Sequence, residues 1–224
     1  MPTGGDVKVR MAGWHLTAYW LSRHCVTNMQ YELFDPGHVQ LRWFEKQVEC
    51  FDNHPVVQVN YFDCVCFGWF LGRQELVGDE YEIRLPKEVE WEYACRAGWN
   101  TPFSIKGHSG DSLESSYANF DGDRPWPENA SEGPYLAHTI AVDGRWKGSV
   151  YSENDWGLIG MHGNVWEWCE DLYSERGSDR VMRGGCWDSK AASCRSASRF
   201  RFEESERSDF VGFRVSLQSV YRAK

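Results

Sequence analysis

Several features that would fix the class of this chain at once are missing from it. No stretch approaches the roughly 20 consecutive apolar residues that a membrane-spanning helix needs, so no membrane insertion is expected. Met1-Pro2-Thr3-Gly4-Gly5 leads into charged residues rather than an apolar run. No secretory leader is therefore expected, and the expected setting is cytoplasmic or virion-associated. Basic residues are in deficit: 24 Lys and Arg stand against 33 Asp and Glu, for a formal charge of -9. That excludes nucleic acid as the main partner, because phosphate binding needs a basic face. No Cys-x-x-Cys pair occurs, since Cys64 and Cys66 are only two apart, so zinc-ribbon spacing is absent. The histidines, His15, His24, His38, His54, His108, His138 and His162, form no His-x3-His or His-x-His pair. Repeats, low-complexity tracts and long linkers are missing too, so residues 1–224 read as a single domain.

What is present is enough for a folded core. Length of 224 residues and 42% hydrophobic content read as globular. The 12 Trp serve two ends, because Trp packs cores and is also favoured at binding surfaces. Eight Cys without a leader suggest free, reduced thiols that pack as small apolar side chains.

Local signals place three helices. Thr27-Asn28-Met29-Gln30 has the form of a capping box, opening a helix that buries Tyr31 and Phe34 and stops before Asp35-Pro36-Gly37. A second helix is predicted from Tyr61 to Leu71 after Asn60, with Gly72 as a left-handed stop. A third is predicted from Pro86 through Ala97, with Glu88, Glu90 and Glu92 in its N-terminal half and Val89 and Tyr93 sharing a face. Residues 101–152 are rich in Gly, Pro, Asp, Asn and Ser and read as loops, with short strands at Thr139–Val142 and Trp146–Tyr151. A strand pair is expected at Val165–Cys169 and Val181–Gly185. Ser198–Phe202 and Phe213–Leu217 alternate with period two, as further strands would.

Four blocks near the C-terminus look like fixed framework: Met161-His162-Gly163-Asn164-Val165-Trp166-Glu167-Trp168, Arg183-Gly184-Gly185-Cys186-Trp187, Cys194-Arg195-Ser196-Ala197 and Gly212-Phe213-Arg214. Upstream stand His54-Pro55-Val56-Val57, Asn60-Tyr61-Phe62-Asp63, Arg84-Leu85-Pro86 with Glu88, Glu90, Trp91, Glu92 and Tyr93, and Asn154-Asp155-Trp156-Gly157-Leu158. Together, from about Cys25 to Val215, they resemble the formylglycine-generating-enzyme (sulfatase-modifying factor) domain, a relative of the C-type lectin fold. The resemblance implies an α+β, C-type lectin-like fold, irregular, with short strands and about three helices.

Enzymes of that family oxidise a substrate cysteine with two cysteines that hold copper(I), a soft ion that thiolates select. Carrying the pair over puts the second cysteine on Cys194 and the first on Ser189. A serine hydroxyl cannot replace a thiolate for copper(I), so no catalytic residue and no metal ligand is assigned. Cys186 is the one nearby thiol that could restore a pair, and it stands three residues too early. A branch with three-histidine iron would need a histidine cluster that this sequence does not have. Calcium, which the family often holds through loop oxygens, is left open: the matching positions are Asn119, the carbonyls of Gly163 and Val165, and the Glu167 carboxylate. The alternative for Glu167 is an ion pair with a framework arginine.

Between the framework blocks lie Asp188, Ser189, Ser193, Ser198, Phe200, Phe202, Ser205, Ser208, Asp209, Phe210 and Val211. This layout resembles the variable proteins of diversity-generating retroelements, in which adenines of a template are mutated and AAC codons become others. Asp, Ser, Phe and Val codons are all reached from AAC by changing adenines alone; those of Lys190, Glu203, Glu204 and Glu206 are not. The expectation is a non-catalytic protein whose binding segment, 188–211, takes a protein ligand. On an extended strand Ser198, Phe200 and Phe202 would face outward while Arg199 and Arg201 anchor to carboxylates such as Glu167, Glu170 or Asp171. The competing readings are a copper-dependent oxidoreductase with an altered cysteine pair and a fixed-specificity interaction domain. In another reading of the strand, Phe200 and Phe202 fill the core.

Overall fold

The computed structural model describes residues 10–11, 14–15, 18–44, 52–74, 78, 80–143, 145–146, 149–150 and 153–220. The chain opens with β1 (Arg10–Met11) and β2 (Trp14–His15), an antiparallel pair, then β3 (Tyr19–Leu21). Helix α1 (Asn28–Glu32) starts on the expected capping box: the Thr27 hydroxyl accepts from the Gln30 amide and the Gln30 side chain accepts from the Thr27 N–H. Tyr31 is buried as expected, whereas Phe34 lies past the end of the helix and is only half-buried. A 3-10 helix over Pro36–Phe44 follows, which no local signal announced.

Helix α2 (Tyr61–Gly72) is capped reciprocally by Asn60 and Asp63. Gly72 is not its left-handed stop; it is the last helical residue, and the C-cap Arg73 stays right-handed at φ -90°. The glycine that matters is Gly68, where an added Cβ would lie 3.0 Å from the Ile83 carbonyl oxygen. That close approach lays α2 against β4 (Tyr81–Arg84). Tyr31, Phe34, Phe67 and Phe213 form the aromatic heart of this core, with Tyr31 and Phe67 stacked at 5.5 Å and Phe213 edge-on to both.

Helix α3 (Glu88–Arg96) ends at Ala97 in the left-handed region (φ 45°). Its buried face is Glu90, Trp91, Ala94 and Cys95; Val89 and Tyr93 are only half-buried, so the stripe is rotated from the one expected. Irregular chain then covers 97–143. No strand forms at Thr139–Val142, because Asn164 takes the backbone of Ile140 with its own side chain: Oδ1 accepts from the Ile140 N–H and Nδ2 donates to its carbonyl. In place of the single strand expected at Trp146–Tyr151, two short strands, β5 (Arg145–Trp146) and β6 (Ser149–Val150), pair antiparallel; residues 147–148 and 151 lie outside the described residues.

The C-terminal part carries a four-stranded sheet in the order β10-β7-β8-β9, made of β7 (Trp166–Leu172), β8 (Asp179–Arg183), β9 (Phe200–Glu203) and β10 (Val211–Gly212). β7–β8 and β8–β9 are antiparallel, and β10 joins β7 in parallel. The last strand, β11 (Ser216–Ser219), lies between β3 and β4, tying both ends of the domain into one sheet. The result is the α+β, short-stranded, C-type lectin-like fold that the sequence resemblance implied.

Candidate functional site

The strand period of two divides the β7–β8–β9 sheet into two chemically different faces. One carries Glu167, Cys169, Val181, Arg183, Arg199 and Arg201; the other carries Trp166, Trp168, Met182, Phe200 and Phe202, as the cross-strand partners require. The first face packs on α3 through charge. Arg183 is fully buried and donates to Glu88 at 2.9 Å, to Glu92 at 2.6 Å and to the Ser196 carbonyl at 2.5 Å. Arg199 grips the same Glu88 carboxylate with Nε and Nη2, at 2.5 and 2.7 Å, and Arg201 lies 3.6 Å from Asp179. Arg199, just before β9, and Arg201 within it do anchor to carboxylates, but to Glu88 and Asp179 rather than Glu167, Glu170 or Asp171.

Glu167 has a different partner. Arg214 donates to its Oε2 through Nε at 2.6 Å and to its Oε1 through Nη2 at 2.8 Å, and both side chains are fully buried. Trp91 Nε1 donates to Oε2 at 2.7 Å and the Cys25 thiol to Oε1 at 3.2 Å. Each oxygen of Glu167 thus already accepts from two donors. The Gly163 carbonyl accepts from the Val165 N–H. Asn119 Nδ2 donates to the His138 carbonyl and to Asn164 Oδ1, while its own Oδ1 is buried without a hydrogen bond among the described residues.

The second face is aromatic. Phe200, 41% exposed, stacks on buried Trp166 with centroids 5.1 Å apart and planes 22° from parallel. Phe202 packs on Trp168 at 5.9 Å and on Phe210 at 5.9 Å; both Phe202 and Phe210 are half-buried against the main core. The two competing readings of Phe200 and Phe202 therefore divide between the residues: Phe200 lies outward and Phe202 leans in.

The remaining candidates sort by what they hold. Asp188 is exposed, and one of its oxygens accepts from the Tyr135 hydroxyl at 2.6 Å. Ser205 is exposed and bonds Glu203, and Ser208 bonds Asp209. The Asp209 carbonyl accepts from Trp187 Nε1 at 3.3 Å. Ser189 is turned inward: its Oγ accepts from the Cys186 N–H at 3.1 Å, and its carbonyl accepts from Asp121. Ser198 donates to the Ala192 carbonyl, and Ser193 is half-buried in the short 3-10 turn Ala191–Cys194. Val211 is a correction. It is fully buried in the core with Val56, Trp166 and Phe213, because its strand runs beside Trp166 in the sheet interior, so it presents nothing to a ligand.

Sequence reasoning missed the contribution of the 122–137 loop. Tyr135 lies near-parallel to Trp187 at 6.5 Å, Arg124 donates to the Asp188 carbonyl at 3.1 Å, and Arg195 sits 5.1 Å over Trp126. No local signal in a Gly- and Pro-rich loop says which distant strand it will cover.

The thiols beside this face are protected. Gly184 (φ 99°) and Gly185 (φ 79°) let the chain pass close to its neighbours; a Cβ on Gly185 would lie 2.5 Å from Cys194 Sγ. Cys194 is fully buried, and burial followed by the nearby Cys186 thiol pushes its pKa well above the usual thiol range. Burial likewise pushes Cys186 up to about 11, against the opposing hydrogen bond from Ser189. Both are thiols rather than thiolates at neutral pH. Among the described residues no group of three or more His, Cys, Asp or Glu side chains is arranged to hold a metal, and no helix is long and apolar enough to cross a membrane.

Comparison with known proteins follows the same lines. The family model of the sulfatase-modifying factor enzyme 1-like domain matches residues 4–218. The formylglycine-generating enzyme of Streptomyces coelicolor is 32% identical over 188 residues, which is 73% of this chain and 52% of that protein. The serine/threonine-protein kinase pkn1 of Chlamydia pneumoniae is 27% identical over 90% of this chain and 33% of its own length. The chain thus spans about half or less of the length of these relatives. Among solved structures, Treponema denticola variable protein 1 superposes with a TM-score of 0.71 at 19% identity, over 95% of this chain and 91% of that one. These matches agree with the framework blocks and with the sheet they build: the chain belongs to the sulfatase-modifying factor enzyme 1-like domain family.

Proposed function

We propose that the protein is a non-catalytic ligand-binding member of this family, of the diversity-generating-retroelement variable type, which presents the surface between Asp188 and Phe210 to a protein ligand. The observation that carries the reading is the division of the sheet. Arg199, Arg201 and Arg183 fix one face to α3 and the Asp179 edge. The opposite face leaves Phe200 outward on a rigid Trp166 floor. A large aromatic held in place gives contact area at little entropic cost, and neighbouring Ser and Asp side chains adapt their hydrogen bonds. The fold likeness to a variable protein agrees with this, although at 19% identity it speaks for the fold alone.

The thiol chemistry also supports it. Copper(I) oxidation would need two accessible thiolates; here Ser189 occupies one inherited position, and Cys194 is buried and protonated. Nor do the residues suit calcium at Glu167, whose two oxygens are both taken by Arg214. The test has two arms. A near-identical DNA repeat beside the locus, differing only at adenines, establishes diversification. Copper-dependent oxidation of a cysteine peptide, abolished by Cys194→Ala, overturns the non-catalytic reading.

A further inference from the structure

Trp187 closes the framework block Arg183–Trp187, yet its ring is only half-buried. Its Nε1 donates to the Asp209 carbonyl, which fixes the ring relative to the loop leading to Phe210. Tyr135 reaches it from the 122–137 loop, 38% exposed, with its ring 22° from parallel to Trp187 and 6.5 Å away. The Tyr135 hydroxyl is spent on Asp188 at 2.6 Å. Burial and that carboxylate push the hydroxyl's pKa up, so it remains a donor.

The carboxylates of Asp188 and Asp121 act on Tyr135, with Arg124 opposing them. Asp188 is exposed, and its second oxygen accepts no hydrogen bond from the described residues. Arg124 is committed to the Asp121 carboxylate and the Asp188 carbonyl, and exposed Lys190 makes no hydrogen bond to Asp188. An exposed and a half-buried aromatic ring beside a carboxylate with spare acceptor capacity form a cation-recognising arrangement: the ring faces attract a guanidinium or ammonium and the carboxylate completes its hydrogen bonds.

We propose that Tyr135, Trp187 and Asp188 form an anchor for an arginine or lysine side chain of the protein ligand. This rests on reading the 188–210 surface as a ligand face. It adds that the ligand is basic at this point, and that part of the specificity comes from a loop outside that segment. Arginine is preferred to lysine, because its planar group can lie on a ring face and still bridge to the carboxylate.

The test uses the uniformly 15N-labelled full chain and capped tripeptides as probes: Gly-Arg-Gly, Gly-Lys-Gly and neutral Gly-Gln-Gly. The indole N–H resonance of Trp187 is assigned by its loss in Trp187→Phe. Gly-Arg-Gly is expected to shift this resonance saturably, with affinity roughly fivefold or more above Gly-Gln-Gly, as a cation–π contact with a charge partner requires. Asp188→Asn and Tyr135→Leu are expected to abolish that preference with unchanged backbone spectra. No saturable shift, or equal response to the arginine and glutamine peptides, overturns the anchor, as does a preference that survives Asp188→Asn. If Phe200→Ser abolishes capture of a protein ligand while the peptides do nothing at Trp187, the anchor fails and the wider surface stands. If the peptides bind and Phe200→Ser leaves capture unchanged, the wider surface fails instead.

Discussion

Arg214 and Glu167 meet as a two-point ion pair with neither side chain exposed, at 2.6 and 2.8 Å. Arg214 also donates to the carbonyls of Ser22 at 3.1 Å and Ile159 at 3.0 Å, so one guanidinium joins the N-terminal segment, the loop before the Met161 block and strand β7. A buried pair contributes little net stability compared with a well-packed apolar pair, but breaking it leaves an uncompensated charge in the interior.

Arg214→Leu is therefore expected to destabilise the fold by about 3–5 kcal/mol, read as a lower urea midpoint. Glu167→Gln, which keeps the shape and one acceptor, is expected to cost less than Arg214→Leu. Equal stability of wild type and Arg214→Leu would remove the pair from the framework. Because the carboxylate is already satisfied, adding calcium or a chelator is expected to leave the unfolding midpoint unchanged.

The pair was only half legible. Gly212-Phe213-Arg214 and Trp166-Glu167-Trp168 stood out as blocks, and an ion pair for Glu167 was one of two readings, but 47 residues of separation hide which arginine arrives. The capping box at Thr27 was fully legible, because a cap acts within three residues of itself, while for the second helix the start after Asn60 was legible and its reciprocal cap with Asp63 was not read. Gly72 misled for the complementary reason: a glycine permits a left-handed stop but does not impose one, and the helix ends on Gly72 with Arg73 as a right-handed cap. Val211 was lost because periodicity along one segment does not reveal a two-residue strand docking in parallel beside Trp166. Tyr135 carried no signal at all, since loop residues acquire their neighbours from tertiary packing.

Acid weakens the fold through two buried imidazoles. His162 accepts from the Ser104 N–H and donates to the Cys194 carbonyl, and burial lowers its pKa to about 4. His54, beside Thr139, is lowered to about 4, by burial first and the His138 charge second. The unfolded chain takes up these protons near pH 6.5 while the native state refuses them until about 4. Their contribution is therefore complete above the unfolded value and is lost as pH falls from about 6.5 to about 4. The loss amounts to on the order of 3 kcal/mol per ring. His162→Gln is expected to flatten part of this slope in urea titrations across that window; an unchanged slope in both His162→Gln and His54→Gln contradicts the assignment.

Thiol reactivity follows burial. Of the seven described cysteines only Cys66 is exposed, on the outer side of α2, while Cys25, Cys64, Cys95, Cys169, Cys186 and Cys194 are buried. Iodoacetamide at neutral pH is expected to modify Cys66 well before those six, as located by peptide mass mapping. Early modification of Cys186 or Cys194 would mean an accessible, ionised pair and would favour the copper-dependent alternative.

The central claim is that a fixed framework carries a surface whose chemistry is free to change. The direct measurement is the thermal midpoint of the triple variant Phe200→Ser, Ser205→Tyr, Asp209→Tyr beside that of Val211→Asp. The account predicts that the triple variant melts within about 4 °C of the parent, a cost near 1 kcal/mol for a domain of this size, while Val211→Asp, which buries a charge, fails to fold or melts far lower. A triple variant that loses more than about 10 °C, or a Val211→Asp protein as stable as the parent, would contradict it.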